Sequence, residues 1–135
     1  MRNDFTKELR EYEARFEAME PEEQIILKDK FVNSEKYETT VEGYIVVWNT
    51  GIAKDGPLPF CAKGGTRIHP KVTLDEVKML ARKMALKNAA AGLPLGGAKS
   101  GLRGNPDEKE FKQKYQKFVE IAKPHFHENG GKCGG

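Results

Sequence analysis

Three lysines have the clearest potential for chemistry in this sequence. Lys99 lies in the glycine-rich run LGGAKSG (95–101), Lys63 directly precedes a pair of glycines, and Lys87 lies near the end of an amphipathic helical pattern. Glycine permits backbone angles and close backbone approach that a side chain would block. The amines of Lys99 and Lys87 could therefore converge on one anionic ligand.

The glycines Gly96, Gly97 and Gly101 bracket Lys99 and predict a glycine-rich turn. A lysine that is partly desolvated in such a turn loses affinity for its proton and can act as a general acid or base near neutral pH. The alternative is a solvated lysine in an ordinary turn, because short motifs often match by chance. A phosphate-binding loop fits less well, because that motif needs glycine directly before Lys-Ser, where this chain has Ala98.

The helix that carries Lys87 is predicted to begin after Thr73. Thr73 and Glu76 have the spacing of a capping box, which satisfies free amides of the first helical turn. The predicted apolar stripe consists of Val77, Leu80, Ala81, Met84 and Ala91. Lys87 and Asn88 fall at the edges of that stripe, where buried polar groups need partners. Alternatively, Lys87 reaches solvent or caps the helix C-terminus, where a cation suits the helix dipole.

Length and composition are typical of one globular domain. The chain has 135 residues, 38% hydrophobic residues, 32% charged residues and a net charge of +3. Lysines and acidic residues are interspersed, without the basic block of a nucleic-acid surface. The sequence also lacks a membrane-length apolar run and the apolar core of a signal peptide. We therefore expect a cytoplasmic protein without nucleic-acid or membrane partners.

The glycine-rich tail, residues 124–135, contains three potential metal ligands, His125, His127 and Cys133. This set lacks a fourth ligand and a known spacing, so we predict no metal site. Cys61 and Cys133 do not form a disulfide framework or a Cys-x-x-Cys pair. We expect the tail to be loose.

The N-terminal segment, residues 1–35, is predicted to contain two helices. The first helix, over residues 3–19 with Asn3 or Asp4 as its cap, presents an apolar stripe of Phe5, Leu9, Tyr12, Phe16 and Met19. That stripe either packs on a sheet or forms a subunit interface. Pro21 suits the first turn of a second helix that ends at 33–34.

Residues 36–123 are predicted to form an α/β domain, a mixed sheet flanked by helices. Residues 37–48 form one long strand or a strand pair with a bend or bulge at Gly43, and residues 45–48 suit a strand buried on both faces. Short strands follow and break at the glycines 64–65. A last helix opens at Asn105 and ends at Pro124.

Five sequence blocks, in order and at compatible spacing, resemble one known family. They are KGGTR (63–67) followed by HP (69–70), TLDEV (73–77), MALKNA (84–89) and LGGAKSG (95–101). Together they look like the substrate-side domain of the glutamate/leucine/phenylalanine/valine dehydrogenases over roughly residues 40–122. Linked motifs are far more specific than any one of them. The N-terminal helices resemble the oligomerisation segment of that family by pattern.

The resemblance implies oxidative deamination of an L-amino acid such as glutamate to a 2-oxo acid, with NAD or NADP as the cofactor of a complete enzyme. By position, Lys99 would be the catalytic lysine, Lys87 would bind the α-carboxylate, and Lys63 would hold the distal carboxylate of glutamate. Gly64, Gly65 and Gly97 would complete the substrate-binding site. A homo-oligomer and a small carboxylate substrate are the implied partners.

Two departures from the family pattern limit what the chain is expected to do alone. Met84 stands where the glutamate branch often has glutamine, while KNAAAG (87–92) looks more like the leucine branch. The catalytic aspartate of the family and a nucleotide-binding Gly-x-Gly-x-x-Gly motif are missing from this sequence. We expect no cofactor site in this chain, no activity alone, and a separate nucleotide-binding chain or domain as a possible partner. The alternative is a free-standing module that binds an amino acid or 2-oxo acid, or that assembles with a dehydrogenase.

Overall fold

The computed structural model describes residues 2–134, apart from the side chains of residues 2, 3, 16 and 17. The elements follow in the order α1 (Arg2–Ala18), β1 (Glu23–Val32), β2 (Glu38–Trp48), β3 (Ala62–Lys63), β4 (Thr66–Ile68), α2 (Leu74–Ala90), β5 (Gly96–Leu102), α3 (Phe111–Ala122) and β6 (Cys133–Gly134). Within these residues no helix is long and apolar enough to cross a membrane.

Within the described part of the chain, six strands form one mixed sheet in the order β1-β2-β5-β3-β6, with β4 also paired to β5. β1, β2 and β5 are antiparallel neighbours. β3 and β4 lie parallel to β5 on its other edge. The predicted fold class, an α/β domain with a mixed sheet flanked by helices, is confirmed.

The sheet is buried on both faces around β2 and β5. Ile45 and Val47 belong to the apolar cluster that includes Phe118 of α3, whereas Val46 and Trp48 belong to a second cluster with Val77 of α2. Alternation along β2 thus sends successive side chains to opposite helices. The prediction of one long, doubly buried strand is confirmed. Gly43 keeps its place in the ladder, opposite Leu27 and Leu102, so it makes neither a bend nor a bulge.

The predicted second N-terminal helix is wrong, because residues 23–32 form the edge strand β1. Their buried and exposed side chains alternate with period two, and Ile25, Leu27 and Phe31 face the core beneath α3. Three consecutive apolar residues at 25–27 are compatible with either period, and pairing with β2 favours the strand. The first helix is confirmed as α1, but it begins at Arg2, so the prediction of Asn3 or Asp4 as its cap is wrong. Phe16 of the predicted stripe lies outside the described side chains.

The predicted glycine-rich turn at 95–101 is also wrong, because Gly96–Leu102 is the strand β5. Glycine usually weakens a strand, but it is suited to a place where another backbone approaches closely. Glycine is needed here for that close approach and not for a special backbone angle.

The C-terminal part is more ordered than predicted. β6 pairs with β3, and short 3-10 helices occupy Lys123–His125 and His127–Asn129, so the tail is not loose up to residue 134. A Cβ atom on Gly131 would overlap the backbone of His125, which explains a glycine at this tight return. α3 begins at Phe111 rather than near Asn105, whose side chain instead accepts a hydrogen bond from the backbone N–H of Asp107.

Candidate functional site

Helix α2 lies unusually close to the backbone of β5. A Cβ atom on Gly97 would overlap the backbone of Ala85, and one on Gly101 would lie 2.6 Å from Cγ2 of Val77. Gly96, on the other side of the strand, would place a Cβ atom 2.5 Å from the carbonyl oxygen of Trp48. Because these glycines have no side chain, β5 can lie directly beneath the helix.

Lys99 projects from β5 on the face covered by α2, because it alternates with Gly97 and Gly101. Its side chain is half-buried, and its Nζ lies 3.6 Å from the position that a Cβ atom would take on Gly65. A Cβ atom on residue 65 would therefore be in van der Waals contact with this ammonium group. The structure thus brings Lys99 to the break between β3 and β4.

Lys63 is the last residue of β3 and lies opposite Gly97 of β5. Residues directly opposite each other across a sheet point to the same face, so Lys63 shares the α2 face with Lys99. Its side chain is exposed. The next residue, Gly64, packs so tightly on β5 that a Cβ atom there would overlap the carbonyl oxygen of Ala98.

The helix α2 begins as predicted, because Oγ1 of Thr73 accepts a hydrogen bond from the backbone N–H of Glu76 at 3.2 Å. The carboxylate of Glu76 does not close the capping box but pairs with Arg67 of β4 at 3.3 Å. This ion pair connects the start of the helix to the strand that follows the Gly64-Gly65 break.

Near the other end of α2, Lys87 is exposed and Asn88 is buried. Met84, one turn earlier, reaches the same loop as Lys99, with its Cγ 3.4 Å from the Cβ position on Gly64. The amide of Asn88 donates to the carbonyl oxygens of Gly96 at 2.9 Å and Lys63 at 3.4 Å. Ala91, assigned to the apolar stripe from sequence, is exposed beyond the helix end, so that assignment is wrong.

The three predicted lysines thus lie on one side of the sheet, with Lys63 and Lys99 beside the Gly64-Gly65 loop and Lys87 on α2 next to Asn88. Among the hydrogen bonds and ion pairs of the described residues, none engages the side-chain amine of Lys63, Lys87 or Lys99. The other predicted residues, Gly64, Gly65 and Gly97, form the backbone floor of this region. Unpaired amines above a glycine floor can bind a carboxylate through charge-assisted hydrogen bonds.

A cavity of about 620 Å³ lies on the opposite side of the same loop. Its walls include Gly64, Gly65 and Ser100 of the sheet and Tyr115 of α3. Cys133 also lines the cavity, and burial raises the pKa of its thiol to about 11, with a smaller contribution from Cys61. Such a thiol is protonated at neutral pH and is not an activated nucleophile. The sequence did not predict this cavity, because it depends on the ordered tail.

The described residues do not fit a dinucleotide. A dinucleotide site places a glycine-rich turn between a strand and the N-terminus of the next helix. Residues 69–73, between β4 and α2, contain no glycine, and residues 103–110, between β5 and α3, contain only Gly104. Neither of these two connections can therefore hold the pyrophosphate of NAD or NADP on a glycine-rich turn.

Comparisons with family models and with curated proteins point to the family that the sequence motifs resemble. The family model described as Glu/Leu/Phe/Val dehydrogenase, dimerisation domain, matches residues 21–128. A glutamate dehydrogenase of Thermotoga maritima is 60% identical over 45 residues, which cover 33% of this chain and 11% of that protein. An NADP(+)-dependent glutamate dehydrogenase of Pyrobaculum calidifontis is 49% identical over 65 residues, covering 48% of this chain and 14% of that protein.

Solved structures support the same relationship. The glutamate dehydrogenase of Peptoniphilus asaccharolyticus superposes with a TM-score of 0.67 at 28% identity, over 78% of this chain and 26% of that chain. The hetero-hexameric glutamate dehydrogenase of Thermus thermophilus in its Leu-bound form gives 0.59 at 31% identity, over 73% of this chain and 24% of that chain. The chain therefore spans only a minor part of the length of the relatives that it matches.

Proposed function

Because this chain belongs to the Glu/Leu/Phe/Val dehydrogenase family, whose dimerisation domain it matches over residues 21–128, we propose that it binds the carboxylate groups of an L-amino acid and of the matching 2-oxo acid. Glutamate and 2-oxoglutarate are the first pair to test, because the curated relatives compared above are glutamate dehydrogenases. These carboxylate groups bind at one site on the α2 side of the sheet.

The observation that carries this proposal is that three unpaired amines lie on one side of the sheet, two of them beside one glycine loop. Lys87 binds the α-carboxylate and Lys63 the distal carboxylate, both as exposed cations. Lys99, half-buried beside Gly65, is assigned to the reacting carbon between the two carboxylates. A positioned amine at that place can polarise a carbonyl group and move a proton to or from it.

The corresponding reaction is oxidative deamination. In a complete enzyme, a nicotinamide cofactor held elsewhere would take up a hydride from the amino acid, and hydrolysis of the resulting imine would give a 2-oxo acid and ammonium. Hydride acceptance belongs to a nucleotide-binding domain, which another part of the polypeptide or a separate chain supplies. The share assigned to this chain is to bind the substrate, to orient it and to exchange protons through Lys99.

Binding can be measured on this chain by isothermal titration calorimetry with 2-oxoglutarate. We expect Lys99→Ala, Lys87→Ala and Lys63→Ala each to weaken binding about tenfold or more, because each removes a hydrogen bond to a charged group. Lys112→Ala is the matched control, since Lys112 is an exposed lysine on α3 at the other face of the sheet. Equal affinities for the control and the three site variants would refute the site.

Turnover can be measured after the rest of a glutamate dehydrogenase, with its catalytic aspartate and its nucleotide-binding domain, is fused or added to the chain. We expect oxidation of reduced nicotinamide that depends on 2-oxo acid and ammonium, and that Lys99→Ala abolishes. Undiminished turnover in Lys99→Ala would remove this lysine from the mechanism. Binding without turnover in the complemented protein would favour the free-standing binding module.

We also propose that the chain forms a homo-oligomer through α1 and the outer edge of β1. Large apolar side chains are exposed on both elements: Phe5, Leu9, Tyr12, Ile26 and Val32. Contiguous exposed apolar surface is characteristic of subunit interfaces. Sedimentation velocity should show an oligomer that Leu9→Glu dissociates and that Lys112→Glu leaves intact.

A further inference from the structure

The side chain of Asn88 has a role that its place at the edge of the helix stripe does not suggest. Asn88 is only 7% exposed, although the side chain of its neighbour Lys87 reaches solvent. An amide buried at this depth is costly unless its polar atoms are hydrogen-bonded. Its Nδ2 has two hydrogens, and each can be given to a different acceptor.

The two acceptors belong to two different strands. The carbonyl oxygen of Gly96, at 2.9 Å, belongs to β5, and the carbonyl oxygen of Lys63, at 3.4 Å, is at the end of β3. The first contact has the length of an ordinary hydrogen bond and the second is longer and weaker. One amide on α2 therefore contacts both strands that carry the other two lysines.

This contact lies at the end of a short strand. β3 has only two residues and ends at Lys63, before the glycine pair that separates it from β4. On the far side of that pair, the hydroxyl groups of Thr66 and Ser100 hold β4 to β5 at 2.6 Å. Asn88 supplies the corresponding side-chain attachment on the near side.

We propose that Asn88 is a positioning residue, which fixes the Lys63 segment and β5 relative to the helix that carries Lys87. It does not contact the ligand. It acts by setting the places of Lys63 and Lys99 with respect to Lys87, so that one dicarboxylate can contact all three. This inference rests on the proposed carboxylate site and adds to it the residue that holds the three amines together.

The chain offers a matched control for the loss of a buried asparagine. Asn33 is 8% exposed, and its side chain also makes several hydrogen bonds, including one to Oε1 of Glu110 at 2.6 Å. It ties the β1–β2 connection to the start of α3, away from the lysines. Asn33→Ala should therefore destabilise the fold as Asn88→Ala does, without moving the carboxylate site.

The first measurement is 2-oxoglutarate binding by calorimetry, with circular dichroism to establish that each variant is folded. We expect Asn88→Ala to weaken binding about tenfold or more and Asn33→Ala to change it less than about twofold. Asn88→Ser, which keeps one short donor, should bind with intermediate affinity and serves if Asn88→Ala does not fold. Equal effects of the changes at 88 and 33 would overturn the proposal.

A double-mutant cycle separates positioning from general destabilisation. If Asn88 acts through the Lys63 segment, the double variant Lys63→Ala/Asn88→Ser should lose less affinity than the product of the two single losses. Independent, multiplying losses would show that Asn88 does not act through Lys63.

Native-state hydrogen exchange decides the positioning role even if the unmutated chain does not bind 2-oxoglutarate. We expect Asn88→Ser to speed exchange selectively in residues 62–66, because local opening there loses its attachment to α2. Selective exchange without ligand binding would refute the proposed function and retain the positioning role. Exchange that rises evenly over the chain, as in Asn33→Ala, would refute the positioning role itself.

Discussion

Helix α2 and helix α3 cover opposite faces of the same sheet, and their contacts with it differ in kind. α2 lies against bare backbone, since Gly97 and Gly101 leave no room for a side chain between helix and strand. α3 packs through a large side chain, Phe118, whose ring fills the space above Gly43. Both contacts depend on glycine, but only the first joins two backbones directly.

This difference explains why the candidate site lies on the α2 face. Where two backbones meet, their separation is set by van der Waals contact between backbone atoms and cannot relax by a change of rotamer. Lys99 and Asn88 extend from these fixed backbones. On the α3 face, the aromatic core can adjust to small changes in volume, as closely packed cores do at moderate cost. A rigid support suits charged groups that must meet one ligand.

The largest effect is expected for Gly97→Ala. The new methyl group would overlap the backbone of Ala85, so the helix as a whole must move. We expect a loss of at least about 3 kcal/mol in the free energy of unfolding, at the upper end of the cost of overpacking. Urea denaturation measures this loss.

Gly51→Ala is the control for that experiment, because a Cβ atom on Gly51 meets nothing within 4 Å. Its stability should change by less than about 0.5 kcal/mol. A Gly97→Ala protein as stable as the Gly51→Ala protein would show that α2 can move away from β5, and the contrast between the two faces would not hold.

A smaller effect is expected for Phe118→Leu on the other face. Phe118 is 4% exposed, and leucine removes part of its ring contact with the strand backbone. We expect a loss of about 1–2 kcal/mol, because the core can partly close around the smaller side chain. The affinity for 2-oxoglutarate should stay unchanged. If Phe118→Leu weakened binding as strongly as Lys99→Ala, the site would depend on both faces.

Several features of the fold and of the candidate site could be predicted from the sequence alone. The long strand, the capped helix and the break at the two glycines followed from β-branched runs, a Thr-to-Glu spacing of three and glycine punctuation. The lysines were identified because they stand beside glycines or at the edge of an apolar stripe. These patterns are local in sequence. The structures that they predict form because the residues that determine them are close neighbours in the chain.

Other features needed information that local sequence does not contain. Residues 25–27 are apolar throughout, and only the ladder with β2 decides that they form a strand. The glycines of β5 resemble a turn until the backbone of Ala85 is placed against Gly97. The sequence showed Asn88 only as a polar residue that needs a hydrogen-bond partner. Its acceptors lie 8 and 25 residues away in sequence.

The next effect concerns the start of α2. Thr73→Ala removes the hydroxyl group that accepts from the N–H of Glu76, and a lost helix cap costs about 1 kcal/mol. Stability measured in urea should fall by this amount. Ligand affinity should not change, because the cap lies at the opposite end of the helix from Lys87. Thr40→Ala, an exposed threonine in β2, is the control.

The smallest effect concerns a charge cluster that involves neither helix. The carboxylate of Glu22 accepts from the hydroxyl group and backbone N–H of Thr50 and pairs with Lys132 at 2.8 Å. Partial burial raises the pKa of Glu22, but the hydrogen bonds from Lys132 and Thr50 together outweigh burial and lower the pKa below 4.5. The folded state therefore favours the ionised carboxylate more than the unfolded chain does.

A lowered pKa stabilises the fold above the unfolded value, and this contribution is lost as the pH falls through the folded value. At pH 7, Glu22→Gln should therefore reduce the free energy of unfolding, by less than about 1 kcal/mol for a partly exposed pair. The difference from the unmutated chain should shrink as the pH falls from the unfolded glutamate pKa, about 4.3, through the lower pKa of folded Glu22, beyond which both chains carry a neutral group. Glu38→Gln, which breaks an exposed pair with Lys30, is the control. A pH-independent cost for Glu22→Gln would mean that shape and hydrogen bonding, rather than charge, hold the N-terminal connection to the tail.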